Sequence, residues 1–126
     1  MISKELLSEV LNKKVIDDDI SNIELKDNTL TFIEDYWDED EGSGFYRNHT
    51  INIYELAHKC KEWVASKDYY LSTFIDFGVD NYFCEIKWFN SEYIIQNKNF
   101  IADTEPEAIF KAAQWILDNV KTNSIP

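Results

Sequence analysis

The sequence is poor in several residue types, and each shortage excludes a class of protein. Two prolines and three glycines in 126 residues are too few for a disordered or linker-like chain. The two cysteines, Cys60 and Cys84, are far apart and lie in apolar patterns, so we expect buried free thiols in a reducing compartment. No apolar run approaches the length of a membrane span, and the first residues contain no signal-peptide stretch. We therefore expect a cytoplasmic globular protein that does not bind a membrane.

Basic residues are also scarce. Lys and Arg total 12 against 24 Asp and Glu, and the formal net charge is -12. So strong an acidic bias disfavours direct binding to nucleic acid or to an anionic membrane, and it favours a basic protein partner or simple solubility. With 44% hydrophobic and 15% aromatic residues, the chain can bury about 65% of its unfolded surface as a single domain, residues 1–126.

The clearest element in the sequence is a helix at residues 51–65, INIYELAHKCKEWVA. Asn52 can cap its first turn, and Glu55, three residues later, has the spacing of a capping box. Ile51 and Leu56 flank the cap at the positions of a hydrophobic staple. The apolar residues recur at intervals of three and four, as on one face of a helix: Ile53, Leu56, Ala57, Cys60 and Val64.

Similar signals predict a helix near each end of the sequence. Ser3 can cap a first helix over residues 4–12. Thr104 and Glu107 have capping-box spacing before a last helix, in which Pro106 is tolerated because its first-turn position needs no N–H. The residues expected to be buried are Leu6, Leu7, Val10 and Leu11 in the first helix, and Ile109, Ala112, Ala113, Ile116, Leu117 and Val120 in the last.

Alternating apolar and polar residues predict strands between these helices. Residues 20–25 and 29–33 flank the polar turn Lys26-Asp27-Asn28 as a hairpin. Residues 69–77, 82–89 and 92–96, separated by short polar turns, form an antiparallel meander. The order α-β-β-(β)-α-β-β-β-α indicates an α+β fold, with an antiparallel sheet of about five strands and three helices packed on it.

Residues 34–50 interrupt this regularity, and we interpret them as a long acidic loop. The segment has six acidic residues and no lysine, followed by Gly42-Ser43-Gly44; a short strand at residues 45–47 would make it a wide hairpin instead. Two roles remain open, a solvated connection or an anionic contact surface with aromatic anchors. The aromatics could equally pack as core, although Trp37 is the tryptophan most expected to be exposed. The candidate contact residues are Tyr36, Trp37, Asp38, Glu39, Asp40 and Glu41.

No combination of residues predicts catalysis or a metal site. His58 and Cys60 point in different directions on a helix, and His49 is the only other histidine, which disfavours a zinc ion or a Cys–His nucleophile. The acidic segment also fails to match an EF-hand calcium loop. If Gly44 were the glycine of such a loop, Thr50 would occupy the position of the bidentate glutamate ligand. Adventitious cation binding by the clustered carboxylates stays open. We expect no enzyme, no metal and no cofactor.

The segment from residue 51 to residue 120 resembles small proteins encoded by bacteriophages and prophages. In those proteins a helix precedes two or three strands, and a terminal helix begins with a Thr/Ser-x-Pro/Glu cap followed by EAI-x-KA. The matching stretch here is TEPEAIFKAAQWIL. The resemblance covers a little over half of the chain and has no counterpart for the first fifty residues. It implies a phage accessory protein in the cytoplasm of a bacterial host cell, and it brings no catalytic residues.

Charge and resemblance together suggest a function. An RNA- or DNA-guided nuclease exposes a basic channel, which a compact protein of strongly negative charge can occupy. We expect a non-catalytic interaction protein that inhibits a host nucleic-acid-handling defence factor, such as a CRISPR or restriction nuclease, as anti-CRISPR inhibitors do. The alternatives are a structural or assembly component of a phage particle and a binding module of unknown target.

Overall fold

The computed structural model describes residues 2–17, 22–75, 78 and 80–123, the last three of these by their backbone alone. Parts of the strands predicted over residues 20–25 and 69–77 lie outside the described residues: Ile20, Ser21, Asp76 and Phe77. Three helices lie within them: α1 (Lys4–Leu11), α2 (Ile53–Ser66) and α3 (Glu105–Asn123). Seven strands lie there too: β1 (Val15–Ile16), β2 (Glu24–Lys26), β3 (Thr29–Asp38), β4 (Ser43–Asn52), β5 (Tyr70–Ile75), β6 (Tyr82–Phe89) and β7 (Ile95–Ala102). The predicted α+β class is confirmed.

The described strands form two antiparallel sheets, where the sequence suggested one sheet of about five strands. One sheet has four strands and the other has three. The chain correspondingly divides into two compact units: Ser3–Leu56, called the first unit, and Ala57–Pro126 with Met1–Ile2, called the second unit. The additional strand length comes from residues 34–50. The single domain spanning residues 1–126 stays a prediction.

Helix α1 opens the first unit and has the predicted cap. The Oγ of Ser3 accepts a hydrogen bond from the Leu6 N–H at 3.1 Å, which satisfies one of the free donors of the first turn. The helix ends at Asn12, whose φ of 52° is left-handed; asparagine tolerates that conformation better than most residues. Leu6 and Leu7 are fully buried, and the rest of the predicted stripe is half-buried.

Strand β3 is the centre of the four-stranded sheet. It pairs along one edge with β1 and β2 and along the other with β4, always antiparallel. Asp27 and Asn28 join β2 to β3 with φ values of 52° and 63°. Two positive φ values make the type I′ turn, whose twist matches that of the strands it connects. The predicted hairpin at this turn is confirmed in its described part.

The interpretation of residues 34–50 as a loop is wrong. Strands β3 and β4 continue through the segment and pair from Thr29 with Asn52 to Asp38 with Ser43, so only residues 39–42 form the connection. The alternative of a wide hairpin is therefore the observed arrangement, and its second strand is longer than the predicted residues 45–47. The inward positions of β3 include Glu34, which is 7% exposed. A buried carboxylate breaks the apolar pattern by which a strand is normally found.

Helix α2 begins where predicted. The Oδ1 of Asn52 accepts a hydrogen bond from the Tyr54 N–H at 2.8 Å, so the side chain caps the first turn. All five predicted stripe residues are buried, and so is Trp63, which the predicted stripe omitted. The described residues contain no helix with the length and apolar character that crossing a bilayer requires.

The second unit contains the predicted meander β5–β6–β7. Strand β7 runs from Ile95 to Ala102, whereas residues 92–96 were predicted. It begins later than predicted because the side chain of Asn90 stabilises a loop before it. The Oδ1 of Asn90 accepts hydrogen bonds from the N–H groups of Glu92 and Ile94 at 2.9 and 3.0 Å. Tyr93, between them, has a φ of 62°, which a strand cannot accommodate.

Helix α3 packs on β6 and β7. The Oγ1 of Thr104 accepts a hydrogen bond from the Glu107 N–H at 3.4 Å, as the cap predicts. The predicted buried face is correct except that Val120 is only half-buried. On β6, Cys84 and Ile86 are fully buried, which confirms the predicted alternation of that strand.

Candidate functional site

Four acidic residues at the end of the β3–β4 hairpin form what we call the acidic turn: Asp38, the last residue of β3, and Glu39, Asp40 and Glu41 in the connection. The Oδ1 of Asp38 accepts hydrogen bonds from the N–H groups of Asp40 and Glu41 at 3.0 and 3.3 Å. The Asp38 carbonyl accepts another from Gly42 at 2.9 Å, and Gly42 has a φ of 65°, which glycine adopts without strain. The first acid of the turn therefore fixes the backbone, while the other three acids are exposed.

One face of the hairpin carries an aromatic pair that holds an arginine. Tyr36 lies opposite Phe45, with ring centroids 5.1 Å apart. The guanidinium carbon of Arg47 lies 3.3 Å from the centroid of the Tyr36 ring and 5.3 Å from that of Phe45. The aromatic faces attract the cation, so Tyr36 is neither a core residue nor a freely exposed anchor. It is half-buried beneath Arg47.

The opposite face carries two exposed aromatic side chains, Trp37 and Tyr46. Trp37 is 60% exposed and Tyr46 is 71% exposed. Trp37 lies opposite Gly44, and a Cβ placed on Gly44 would lie 3.4 Å from Cε3 of the indole. The indole ring therefore lies over Gly44, whose lack of a side chain leaves space for the ring. The prediction that Trp37 is exposed is confirmed, whereas Trp63 is buried and the other two tryptophans are half-buried.

Nearer the base of the hairpin, a buried carboxylate lies beside a histidine and a lysine. Oε1 of Glu34 lies 2.8 Å from Nε2 of His49 and 4.0 Å from Nζ of Lys13. The imidazole of His49 also stacks on Phe32, with ring centroids 5.1 Å apart. Buried carboxylates require such partners because desolvation penalises the charged form. This group fastens β3 to β4 below the acidic turn.

Both cysteine thiols are buried, and each histidine lies beside a glutamate. Burial raises the pKa of the Cys60 thiol, and likewise that of Cys84, to about 12, so neither is a thiolate at neutral pH. His58 is exposed and pairs with Glu62 at 2.9 Å. In the part of the chain that the structure describes, no group of three or more His, Cys, Asp or Glu side chains is arranged to hold a metal ion.

A second exposed apolar surface lies in the second unit, on the face of the sheet opposite Cys84. Phe74, Phe83 and Ile101 are neighbours across the three strands, and we call them the meander row. The rings of Phe74 and Phe83 stack 5.3 Å apart and nearly parallel. Phe74 is 46% exposed and Ile101 is 48% exposed. The row is apolar and carries no charge, which distinguishes it from the acidic turn.

The hairpin brings together more than the sequence indicated. The six candidate residues occupy the end of β3 and the turn, whereas Phe45, Tyr46 and Arg47, which return beside them on β4, were not included among the candidates. The Gly-Ser-Gly stretch could have revealed them, because such a stretch between two aromatic segments is typical of a hairpin connection. Comparison of the chain with protein-family models, with curated proteins and with solved structures gives no match.

Proposed function

We propose that the chain is a non-catalytic interaction protein that binds a basic protein surface with the acidic turn and the neighbouring pair Trp37 and Tyr46. One observation carries the proposal: Asp38 fixes the turn through its hydrogen bonds to Asp40 and Glu41, with the two exposed aromatics beside it. A turn already held in one conformation loses little entropy on binding.

The two parts of this surface have different physical roles. The exposed carboxylates attract a basic partner and accelerate encounter, an effect that decreases as salt screens the charges. Trp37 and Tyr46 provide contact area with few rotatable bonds, and such aromatic side chains commonly contribute most to interface affinity. The carboxylates therefore control association, and the aromatics control dissociation.

The resemblance of residues 51–120 to phage-encoded proteins supports a particular target. We propose a host defence factor that handles nucleic acid, such as an RNA-guided CRISPR nuclease or a restriction nuclease, in the cytoplasm of an infected bacterium. Such enzymes hold nucleic acid in positively charged channels. A net charge of -12 gives the inhibitor long-range attraction to the rim of that channel.

The experiment is an inhibition assay against a panel of purified guided nucleases and restriction nucleases. We expect the wild-type chain to inhibit at least one of them and to form a complex that can be isolated. Trp37→Ala should increase the dissociation rate of that complex, because it removes an aromatic anchor. Tyr54→Ala is the matched control, since Tyr54 is 58% exposed but lies on α2. Absence of inhibition across the panel would contradict the nuclease target.

A further inference from the structure

Strand β4 is a long unpaired edge of the first unit. Among the described residues it pairs only with β3, whose other edge is taken by β1 and β2. Eight of its ten residues are exposed. A free edge of this length presents a row of unpaired N–H and C=O groups that another strand can join.

The hydrogen-bond register shows which groups face outward. The Ile53 N–H donates to the Asn28 carbonyl at 2.9 Å, and these two residues continue the register of β3 with β4. In an antiparallel pair, hydrogen-bonded positions alternate with positions whose backbone groups point away. Counting back from Ile53 by twos, the odd-numbered residues of β4 bond to β3. The backbone N–H and C=O groups that point away from β3 are those of Gly44, Tyr46, Asn48, Thr50 and Asn52.

This edge has little of the usual protection against pairing, because its one inward charge, Arg47, lies over the ring of Tyr36. Natural edge strands are blunted by lysine, proline, a bulge or an inward charge, and β4, with the sequence SGFYRNHTIN, contains neither lysine nor proline. It also contains no acidic residue, in a chain whose net charge is -12. A second β4 can therefore approach this edge without the repulsion that most of the molecule would impose.

We propose that two copies of the chain pair through β4, antiparallel about a two-fold axis at Asn48, so that their four-stranded sheets become continuous. In this register Tyr46 of one copy lies opposite Thr50 of the other, and Phe45 lies opposite Ile51. Aromatic and β-branched residues are favourable cross-strand neighbours. The pairing is isologous, as in most dimers.

The charges near this axis are compatible with the register. Arg47 of one copy lies opposite His49 of the other, and each copy supplies Glu34, which contacts His49 and lies opposite Arg47 on β3. The two acidic turns lie at opposite ends of the paired strands, about 45 Å apart at 3.4 Å per residue. That separation is several Debye lengths at physiological salt, so the turns repel each other little. The dimer does not depend on the nuclease target.

The oligomeric state of variants at Asn48 tests the proposal. We expect the wild-type chain to sediment as a dimer at high micromolar concentration. Asn48→Pro removes an outward N–H from each copy and is compatible with an edge position, so dimerisation should weaken about tenfold or more. Asn48→Ala, which keeps the N–H, should dimerise as the wild type does. A wild-type chain that stays monomeric, or equal dimerisation of both variants, would overturn the proposal.

Cross-linking tests the register even where the proline variant does not fold. In the proposed dimer, residue 48 of one copy lies opposite residue 48 of the other as a hydrogen-bonded pair. The Cα atoms of such a pair are about 5.5 Å apart, which a disulfide can span. Asn48→Cys should therefore form a covalent dimer on mild oxidation. Thr50→Cys should not, because the two copies of residue 50 lie about 14 Å apart in this register. The native cysteines are buried and should not react. Cross-linking at Thr50 alone, or at neither position, would contradict the proposed pairing.

Discussion

Arg47 lies over the ring of Tyr36, with its guanidinium carbon 3.3 Å from the ring centroid. Arg47 is the only arginine in a chain that otherwise uses lysine. A planar guanidinium stacks on an aromatic ring, whereas the compact ammonium of lysine does not. The contact joins β3 to β4 just below the acidic turn, so it helps to hold the proposed binding surface in place.

Replacing this arginine should destabilise the protein by a modest, measurable amount. Arg47→Ala should lower the free energy of unfolding by about 1 kcal/mol, because it removes a partly exposed cation–π contact. Arg47→Lys should cost less, since the charge remains. Urea unfolding measures both, with exposed Lys26→Ala as a control expected to change stability by less than about 0.5 kcal/mol. Equal losses for Arg47→Ala and Lys26→Ala would mean that the contact adds no stability.

The buried stripe of α2 makes a larger prediction. Leu56 is fully buried, and Leu56→Ala should destabilise by about 2–5 kcal/mol because the cavity it leaves is only partly filled by relaxation. Lys61 on the same helix is half-exposed and lies 3.6 Å from Glu105, an ion pair worth less than about 1 kcal/mol. Lys61→Ala should therefore have a much higher urea midpoint than Leu56→Ala. Similar urea midpoints for the two variants would show that the buried face of the helix has been assigned incorrectly.

The buried thiols make stability depend on alkaline pH. Burial raises the pKa of Cys60 from 9.0 to about 12, so the native state holds this proton after the unfolded state has lost it. The resulting stability is fully present below the unfolded pKa and is lost as pH rises toward the native pKa. The slope is about 1.4 kcal/mol per pH unit for each such thiol.

Urea unfolding of the wild type and of Cys60→Ala at several pH values isolates this effect. The wild type should lose stability more steeply than the variant between about pH 9 and about pH 11. Cys84, whose burial also raises its pKa to about 12, is present in both proteins, so the difference between the two profiles comes from Cys60. Parallel pH profiles would show that Cys60 does not cause the loss.

Capping and periodicity made most of the fold predictable. Ser3, Asn52 and Thr104 each accept the hydrogen bond that a cap predicts. Each signal lies within a few residues along the chain and follows from the free N–H groups of a first helical turn. Strand β6 was equally clear because its alternation of apolar and polar residues is regular.

The hairpin was harder to predict because its stability depends on residues distant in sequence. Glu34 is acceptable inside the sheet because His49, fifteen residues later, provides a partner at 2.8 Å and Lys13 lies 4.0 Å away. Arg47 reaches Tyr36 only once the strands are paired. Local composition therefore favoured a loop over the alternative of a wide hairpin. The four-stranded sheet depends on this same pairing of β3 with β4. The acidic turn was predicted as acidic, but not as the ordered end of two strands.

The role of the acidic turn can be isolated with two variants of equal charge. The turn variant combines Glu39→Gln, Asp40→Asn and Glu41→Gln, and it keeps Asp38 because that side chain fixes the backbone. The control combines Glu9→Gln, Asp80→Asn and Glu92→Gln, three exposed acids elsewhere. Each variant removes three negative charges. Neither should lower the melting temperature, since no hydrogen bond that fixes the turn is lost.

The most direct measurement is the association rate of these variants with a nuclease that the wild type inhibits, over a range of salt concentrations. At low salt the turn variant should associate about tenfold more slowly than the wild type, and its rate should depend less on salt. The control should associate within about twofold of the wild type, because charges far from the contact steer encounter weakly. Equal rates for the turn variant and the control would contradict the assignment of binding to the acidic turn.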